Sequence, residues 1–229
     1  SISGIRGTIG GSIGENLTPL DAVKFAAGYG AWLKSRNDKC TVVIGRDARP
    51  SGQMIENLVI STLQGLGIDV INTGLSTTPT VEMLVTRYKA EGGIILTASH
   101  NPKQWNALKL LNEKGEFVSG LDGATILELA EGGAIQFADV DDLGTLTTCD
   151  DGMDWHIEEI LKLPTVDAEL IAWPGRALSS LSETHATART GRLHAAYAHA
   201  TAGRLRRSAG VSGPRGGRPT PPSPAVARG

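Results

Sequence analysis

The strongest constraint on this chain is the alternation of short aliphatic runs with helix-period stretches across residues 41–71. Thr41-Val42-Val43-Ile44-Gly45 has strand length and is rich in β-branched residues, so it reads as a buried strand. Met54, Ile55, Leu58, Val59, Thr62, Leu63 and Leu66 then recur at helical spacing, which predicts a helix with those residues as its buried stripe. Gly65-Leu66-Gly67 stops the helix, and Ile68-Asp69-Val70-Ile71 begins the next strand. Strand, helix and strand in that order form a crossover unit whose strands run parallel. Open α/β sheets gather ligands at the C-terminal ends of such strands.

The same pattern extends in both directions. Thr18-Pro19-x-Asp21 predicts a capped helix start, with Val23, Ala26, Ala27, Gly30 and Leu33 inward and Lys24, Lys34 and Arg36 in solvent. Gly74 to Pro79 reads as a turn and Thr80 to Lys89 as a helix burying Val81, Leu84 and Val85. Gly93-Ile94-Ile95-Leu96 and Asn106 to Leu111 are predicted strands, the second placing Ala107, Lys109 and Leu111 on one face before a turn at residues 112–115. Leu121 to Glu131 reads as a helix, Asp139 to Asp154 as an acidic loop, and Trp155 to Leu163 as a last helix. The predicted class is α/β, a mixed sheet with flanking helices.

Three stretches carry the chemistry. Arg46-Asp47-Ala48-Arg49-Pro50-Ser51-Gly52 follows one strand and Thr97-Ala98-Ser99-His100-Asn101-Pro102 follows another, so both loops are predicted at one sheet edge. Taken alone, Ser99 reads as a turn or cap residue. Two arginines bracketing Asp47 are less usual, and the acid is placed to orient a guanidinium. The opening Ser3-Gly4-Ile5-Arg6-Gly7 joins glycines to one cation, which suits either a flexible chain end or an anion-binding turn. Lys109 reads either as a snorkelling surface residue or as a proton carrier near the rim.

Other classes fall away. Cys40 and Cys149 have no metal-ligand spacing, so a zinc site is not expected and a reducing, cytoplasmic setting is the simplest. No stretch has the roughly 18 apolar residues of a membrane span, and the first residues given do not read as a basic-then-apolar signal pattern. The acidic clusters at 139–142 and 150–154 lack metal-loop framing and read as solvated linker. There is no G-x-S-x-G elbow for a serine hydrolase. Ser1 is not a start methionine, so a few residues are expected to precede it.

Taken together, Ser3-Gly4-Ile5-Arg6-Gly7, Gly45-Arg46-Asp47-x-Arg49-x-Ser51-Gly52 and Thr97-Ala98-Ser99-His100-Asn101-Pro102 resemble, in kind and order, the motifs of the α-D-phosphohexomutase family. The nearest likeness is to its bacterial phosphoglucosamine mutase and phosphomannomutase/phosphoglucomutase members. The resemblance implies the family's first domain over residues 1–150 and the start of its second over 151–171. It implies that Ser99 is a phosphoserine that gives its phosphoryl group to a hexose or hexosamine phosphate, glucosamine phosphate foremost, forms a sugar bisphosphate and takes a phosphoryl group back. The net result is movement of a phosphoryl group between C1 and C6. By the same resemblance Ser99, His100, Lys109 and Arg6 are catalytic, Lys109 as the proton-transfer candidate and Arg6 as stabiliser of the moving phosphoryl group. Arg46 and Asn101 are implied phosphate-side residues, and the Ser99 phosphate is an implied ligand of Mg²⁺. Two departures stand out. The family's Asn-Gly-x-Lys is Asn106-Ala107-Leu108-Lys109 here, and its Asp-Gly-Asp-x-Asp-Arg metal loop, sugar-reading segment and C-terminal phosphate clamp are not found. The chain alone is therefore expected to lack mutase turnover.

The last segment differs in kind. From Ala172 to Gly229 there are nine Arg, no Lys and one acid, Glu183, which leaves 13 of the 22 basic and 23 of the 24 acidic residues before it. The formal net charge of −2 is thus a sum of unlike parts. Ala, Arg, Gly, Ser and Pro dominate, a composition that cannot bury enough apolar area to offset chain entropy, so residues 172–229 are expected to be disordered or the product of a frameshift. The alternative is an inactive truncated domain carrying a basic nucleic-acid-binding arm. Expected partners are a sugar phosphate and no membrane.

Overall fold

The computed structural model describes residues 4–133 and 135–167. Expectations for residues 172–229 lie outside these. The described residues form a three-layer α/β arrangement. The elements run β1 (Ile5–Thr8), α1 (Pro19–Lys34), β2 (Thr41–Arg46), α2 (Gly52–Gly65), β3 (Asp69–Leu75), α3 (Thr78–Tyr88), β4 (Gly92–Leu96), β5 (Trp105–Leu111), α4 (Gly120–Gly132), a 3₁₀ turn (Val140–Asp142), β6 (Leu146–Thr148) and α5 (Gly152–Leu161). The sheet order is β1-β5-β4-β2-β3-β6. Strands β4, β2, β3 and β6 pair in parallel, whereas β5 is antiparallel to both β4 and β1.

Strand alternation splits the core in two. Val42, Ile44, Ile94, Leu96, Leu108 and Leu110 face α1, α2 and α4. Val43, Ile95 and Leu111 face the other way, onto Val81, Leu84 and Val85 of α3, with Trp155 of α5 at the margin. Thr18 caps α1 as the sequence predicts, here in a capping box with Asp21, and the buried Asp21 also accepts from Gly14 N–H. From inside α1, Tyr29 donates its hydroxyl to Leu111 O at 2.6 Å and lies 3.3 Å from Gly93 O, fixing the helix to the β4–β5 pair.

Three predicted details change. Met54 is 41 % exposed, and the adjacent Glu56 takes the inward position at 1 %. The acidic stretch after Asp139 is not all loop: Leu146–Thr148 adds an edge strand to β3, held by Val70 N–H on Thr145 O at 2.8 Å and by Thr145 N–H on Asp69 Oδ1 at 2.8 Å. The last helix starts at Gly152, three residues earlier than its periodicity suggests, and α5 lies on α3 through His156 Nδ1 and Thr80 Oγ1 at 2.8 Å. The compact unit containing the sheet runs on to Val166.

Candidate functional site

Parallel pairing of β2 with β4 sets Arg46 opposite Leu96, and the ladder continues one step further, with Asp47 N–H on Leu96 O at 3.1 Å. The 47–51 and 97–104 loops therefore leave the sheet side by side. Ser99 is exposed in the second loop and adopts φ +55°, one of two non-glycine residues with positive φ among those described. A side-chain-bearing residue is strained there, and such strain persists only where surrounding contacts enforce it.

Those contacts begin at Asp47. Its Oδ2 accepts from Thr97 Oγ1 at 2.7 Å, and Thr97 Oγ1 accepts from Ser99 N–H at 3.0 Å. The same Oδ2 accepts from Arg49 Nε at 3.0 Å, while Asp47 Oδ1 accepts from Arg49 N–H at 3.1 Å. Arg49 then reaches across to the serine loop, donating from Nη2 to Ser99 O and Asn101 O, each at 2.9 Å. Its Nη1 donates to Pro102 O at 2.8 Å and Trp105 O at 3.0 Å. A second tie joins the motifs where the buried Asn106 donates to Ser51 Oγ at 3.0 Å.

The other expected residues divide into those near the loop and those turned elsewhere. Arg6 of β1 is exposed and donates from Nη1 to Asn101 Oδ1 at 3.2 Å, which brings the opening motif and Asn101 to the loop. His100 is exposed beside Ser99. Lys109 pairs in register with Ile95, within the sheet, and its ammonium lies 5.5 Å from the centre of the Phe117 ring. Burial pushes the Glu82 carboxyl above the usual range, and the Lys109 ammonium opposes that shift. Arg46 is turned inward: Nε contacts Glu56 Oε2 at 3.0 Å, Nη2 donates to Gln53 Oε1 at 2.7 Å and Nη1 to Asp47 O at 3.3 Å, with 16 % of the side chain exposed. In this arrangement Arg46 serves the β2–α2 junction, Asp47 orients the Arg49 guanidinium as the bracketing arginines suggest, and Thr97 is the loop residue to which the sequence reading gave no role of its own. Ala107 lies in regular strand pairing with Arg6 and has no positive φ, so the missing family glycine leaves the backbone undisturbed.

A divalent metal finds few ligands among the described residues. No three His, Cys, Asp or Glu side chains converge there, and both Asp47 oxygens accept hydrogen bonds from Arg49 and Thr97. The described residues do not by themselves fit a Mg²⁺ site; Ser99 offers a single oxygen. No helix among them is long and apolar enough to cross a membrane.

Comparison with known proteins accords with this arrangement. Residues 2–134 match the family model described as phosphoglucomutase/phosphomannomutase, alpha/beta/alpha domain I. A phosphoglucomutase/phosphomannomutase of Thermococcus kodakarensis is 40 % identical over 112 residues, covering 48 % of this chain and 25 % of that protein. A phosphoglucosamine mutase of Nautilia profundicola is 40 % identical over 109 residues, covering 48 % of this chain and 24 % of that one. The match thus spans about a quarter of the length of these curated relatives. A crystal structure of a phosphoglucomutase/phosphomannomutase family protein from Burkholderia thailandensis superposes with a TM-score of 0.59 at 22 % identity, over 69 % of this chain and 34 % of that one, and shares the fold.

Proposed function

Since the chain belongs to the phosphoglucomutase/phosphomannomutase family, we propose that it carries the phosphoryl-transfer serine of a phosphohexomutase, the isomerase that moves a phosphoryl group between C1 and C6 of a hexose or hexosamine phosphate. The observation that carries this reading is Ser99 itself, exposed in a left-handed turn at the C-terminal sheet edge and tied there from both sides. Similarity to phosphoglucosamine mutases supports glucosamine phosphate as the substrate in this reading.

The chemistry is a pair of displacements. In the first, the bond between phosphorus and the Ser99 oxygen breaks as a sugar hydroxyl oxygen bonds to phosphorus; the hydroxyl proton leaves to a base and the serine oxygen regains a proton. The resulting bisphosphate then returns its other phosphoryl group to Ser99 by the reverse steps. Arg6 would oppose charge on the transferring phosphoryl oxygens, Asn101 would steady Arg6, and His100 lies beside the reacting group. Lys109 would act as proton carrier after turning from Phe117 toward the loop. Arg46 would reach phosphate only by leaving Glu56. Magnesium carboxylates would have to come from outside the described residues. Cytoplasmic location belongs to the same reading.

The test is phosphopeptide mass spectrometry on the 229-residue chain before and after incubation with glucose 1,6-bisphosphate or glucosamine 1,6-bisphosphate and Mg²⁺. One phosphoryl group is expected on the peptide containing Ser99, and none there in Ser99→Ala. Absence of phosphoryl uptake, or uptake elsewhere that Ser99→Ala leaves unchanged, would refute the reading.

A further inference from the structure

Arg49 stands at the rim where a phosphate-binding cation is expected, yet its side chain is only 10 % exposed. A guanidinium has five N–H donors. Here all five have acceptors: Nε has Asp47 Oδ2, Nη1 has Pro102 O and Trp105 O, and Nη2 has Ser99 O and Asn101 O. No N–H remains for a phosphoryl oxygen. We infer that Arg49, with Asp47, is a positioning pair: an internal template around which residues 99–105 wrap so that Ser99 is held in its strained conformation with its hydroxyl presented outward.

Two lines of contact meet on one atom. The Ser99 N–H reaches Asp47 Oδ2 through the Thr97 hydroxyl, and the Ser99 carbonyl reaches the same Oδ2 through Arg49. Both peptide groups flanking the Ser99 α-carbon are thus fixed, which is what setting φ and ψ requires. No cis peptide occurs among the described residues, so each N–H points opposite to the carbonyl it follows. The Ser99 and Pro102 carbonyls point at Arg49, and the His100 and Lys103 N–H groups therefore point away from it. Lysine could not replace this arrangement, because one ammonium presents three donors from a point and cannot meet carbonyls spread around a planar fork.

The functional part rests on the phosphoserine reading; the geometric part does not. NMR of the full chain reads the geometry. In the wild type, separate signals are expected for the four Arg49 Nη protons, since every one is bonded, and the Asn101 amide, donating to Ala98 O, is expected to be protected from exchange. In Arg49→Lys that protection should fall at least about tenfold while the Ile94 and Ile95 amides of β4 keep theirs. Unchanged Asn101 protection in Arg49→Lys would overturn the clamp. Should Arg49→Lys fail to fold, the wild type decides: a single averaged Nη signal together with an Asn101 amide exchanging like an unstructured peptide overturns it. The kinetic arm follows Ser99 phosphorylation by glucose 1,6-bisphosphate with Mg²⁺. A positioning residue that touches no substrate should lower the maximal rate by about tenfold or more and leave the half-saturating concentration within about twofold. The opposite split would make Arg49 a substrate contact and overturn the inference. A wild-type chain that takes up no phosphoryl group would refute the phosphoserine reading, and the clamp would then stand or fall on the NMR result.

Discussion

The left-handed Ser99 makes an opposed prediction for stability and chemistry. At φ +55° a residue with a Cβ bears roughly 1–2 kcal/mol that glycine does not. Glycine loses more chain entropy on folding, offsetting about 0.5–1 kcal/mol of that relief. The Ser99 side chain is exposed, so Ser99→Ala should change stability by less than about 0.5 kcal/mol. Ser99→Gly should therefore be more stable than Ser99→Ala by roughly 0.5–1 kcal/mol, worth about 1–4 °C in Tm for a unit of this size. Both variants should lose phosphoryl uptake completely, since neither has a hydroxyl. Lys89 is the control: its φ is +51° at the C-terminal cap of α3, and Lys89→Gly should be stabilised similarly with no effect on phosphorylation. Urea denaturation of the four proteins under one buffer provides the comparison. A Ser99→Gly no more stable than Ser99→Ala, alongside a stabilised Lys89→Gly, would mean that Ser99 is not held in the left-handed region in solution.

Two further outcomes follow from the core. Tyr29→Phe should cost about 1–2 kcal/mol by stripping a buried carbonyl of its donor, and Gly92→Ala about 1–3 kcal/mol, because a Cβ there would overlap the Tyr29 hydroxyl and lie 2.9 Å from Leu111 O. The double variant should be less destabilised than the sum by at least about 0.5 kcal/mol in chemical denaturation; strict additivity would show that the hydroxyl and the glycine do not share that space. Burial holds the His156 imidazole below its ordinary pKa of 6.5, so the unfolded chain binds more protons between that value and the lower folded one. Stability should accordingly fall as pH drops below about 6.5. The urea midpoint followed from pH 7.5 to 5.5 should show the loss, and His156→Asn, which retains a polar atom near Thr80, should flatten it.

Strand and helix positions were legible wherever one residue type dominated a short window. Val42 to Ile44 and Ile94 to Leu96 could hardly be anything but buried strands, and Thr18-Pro19-x-Asp21 announces the capped start of α1. Leu146–Thr148 escaped notice because all three residues are exposed and acids flank them. Its pairing comes from backbone groups and Asp69, neither of which leaves a hydrophobic signature.

The division of labour between Arg46 and Arg49 shows what motif reading lacks and where the missing signal lay. Both are cations in one loop, and spacing alone favours neither as the residue facing an anion. Yet Val42, Ile44 and Arg46 alternate along β2, which commits Arg46 to the face covered by α2. On that helix Glu56 occupies an inward position that ought to be apolar, and a buried carboxylate requires a cation. Once Glu56 is seen to take the place expected of Met54, the alternation along β2 accounts for its pairing with Arg46. The engagement of Arg49 has no such local cue. Its acceptors are carbonyls some fifty positions away, present on every residue type, and they converge only because β4 lies between β2 and β5. Sheet order, a long-range property, thus decides that the second arginine of the motif shapes the serine loop, while Arg6, on the edge strand β1, reaches the same loop through the Asn101 side chain.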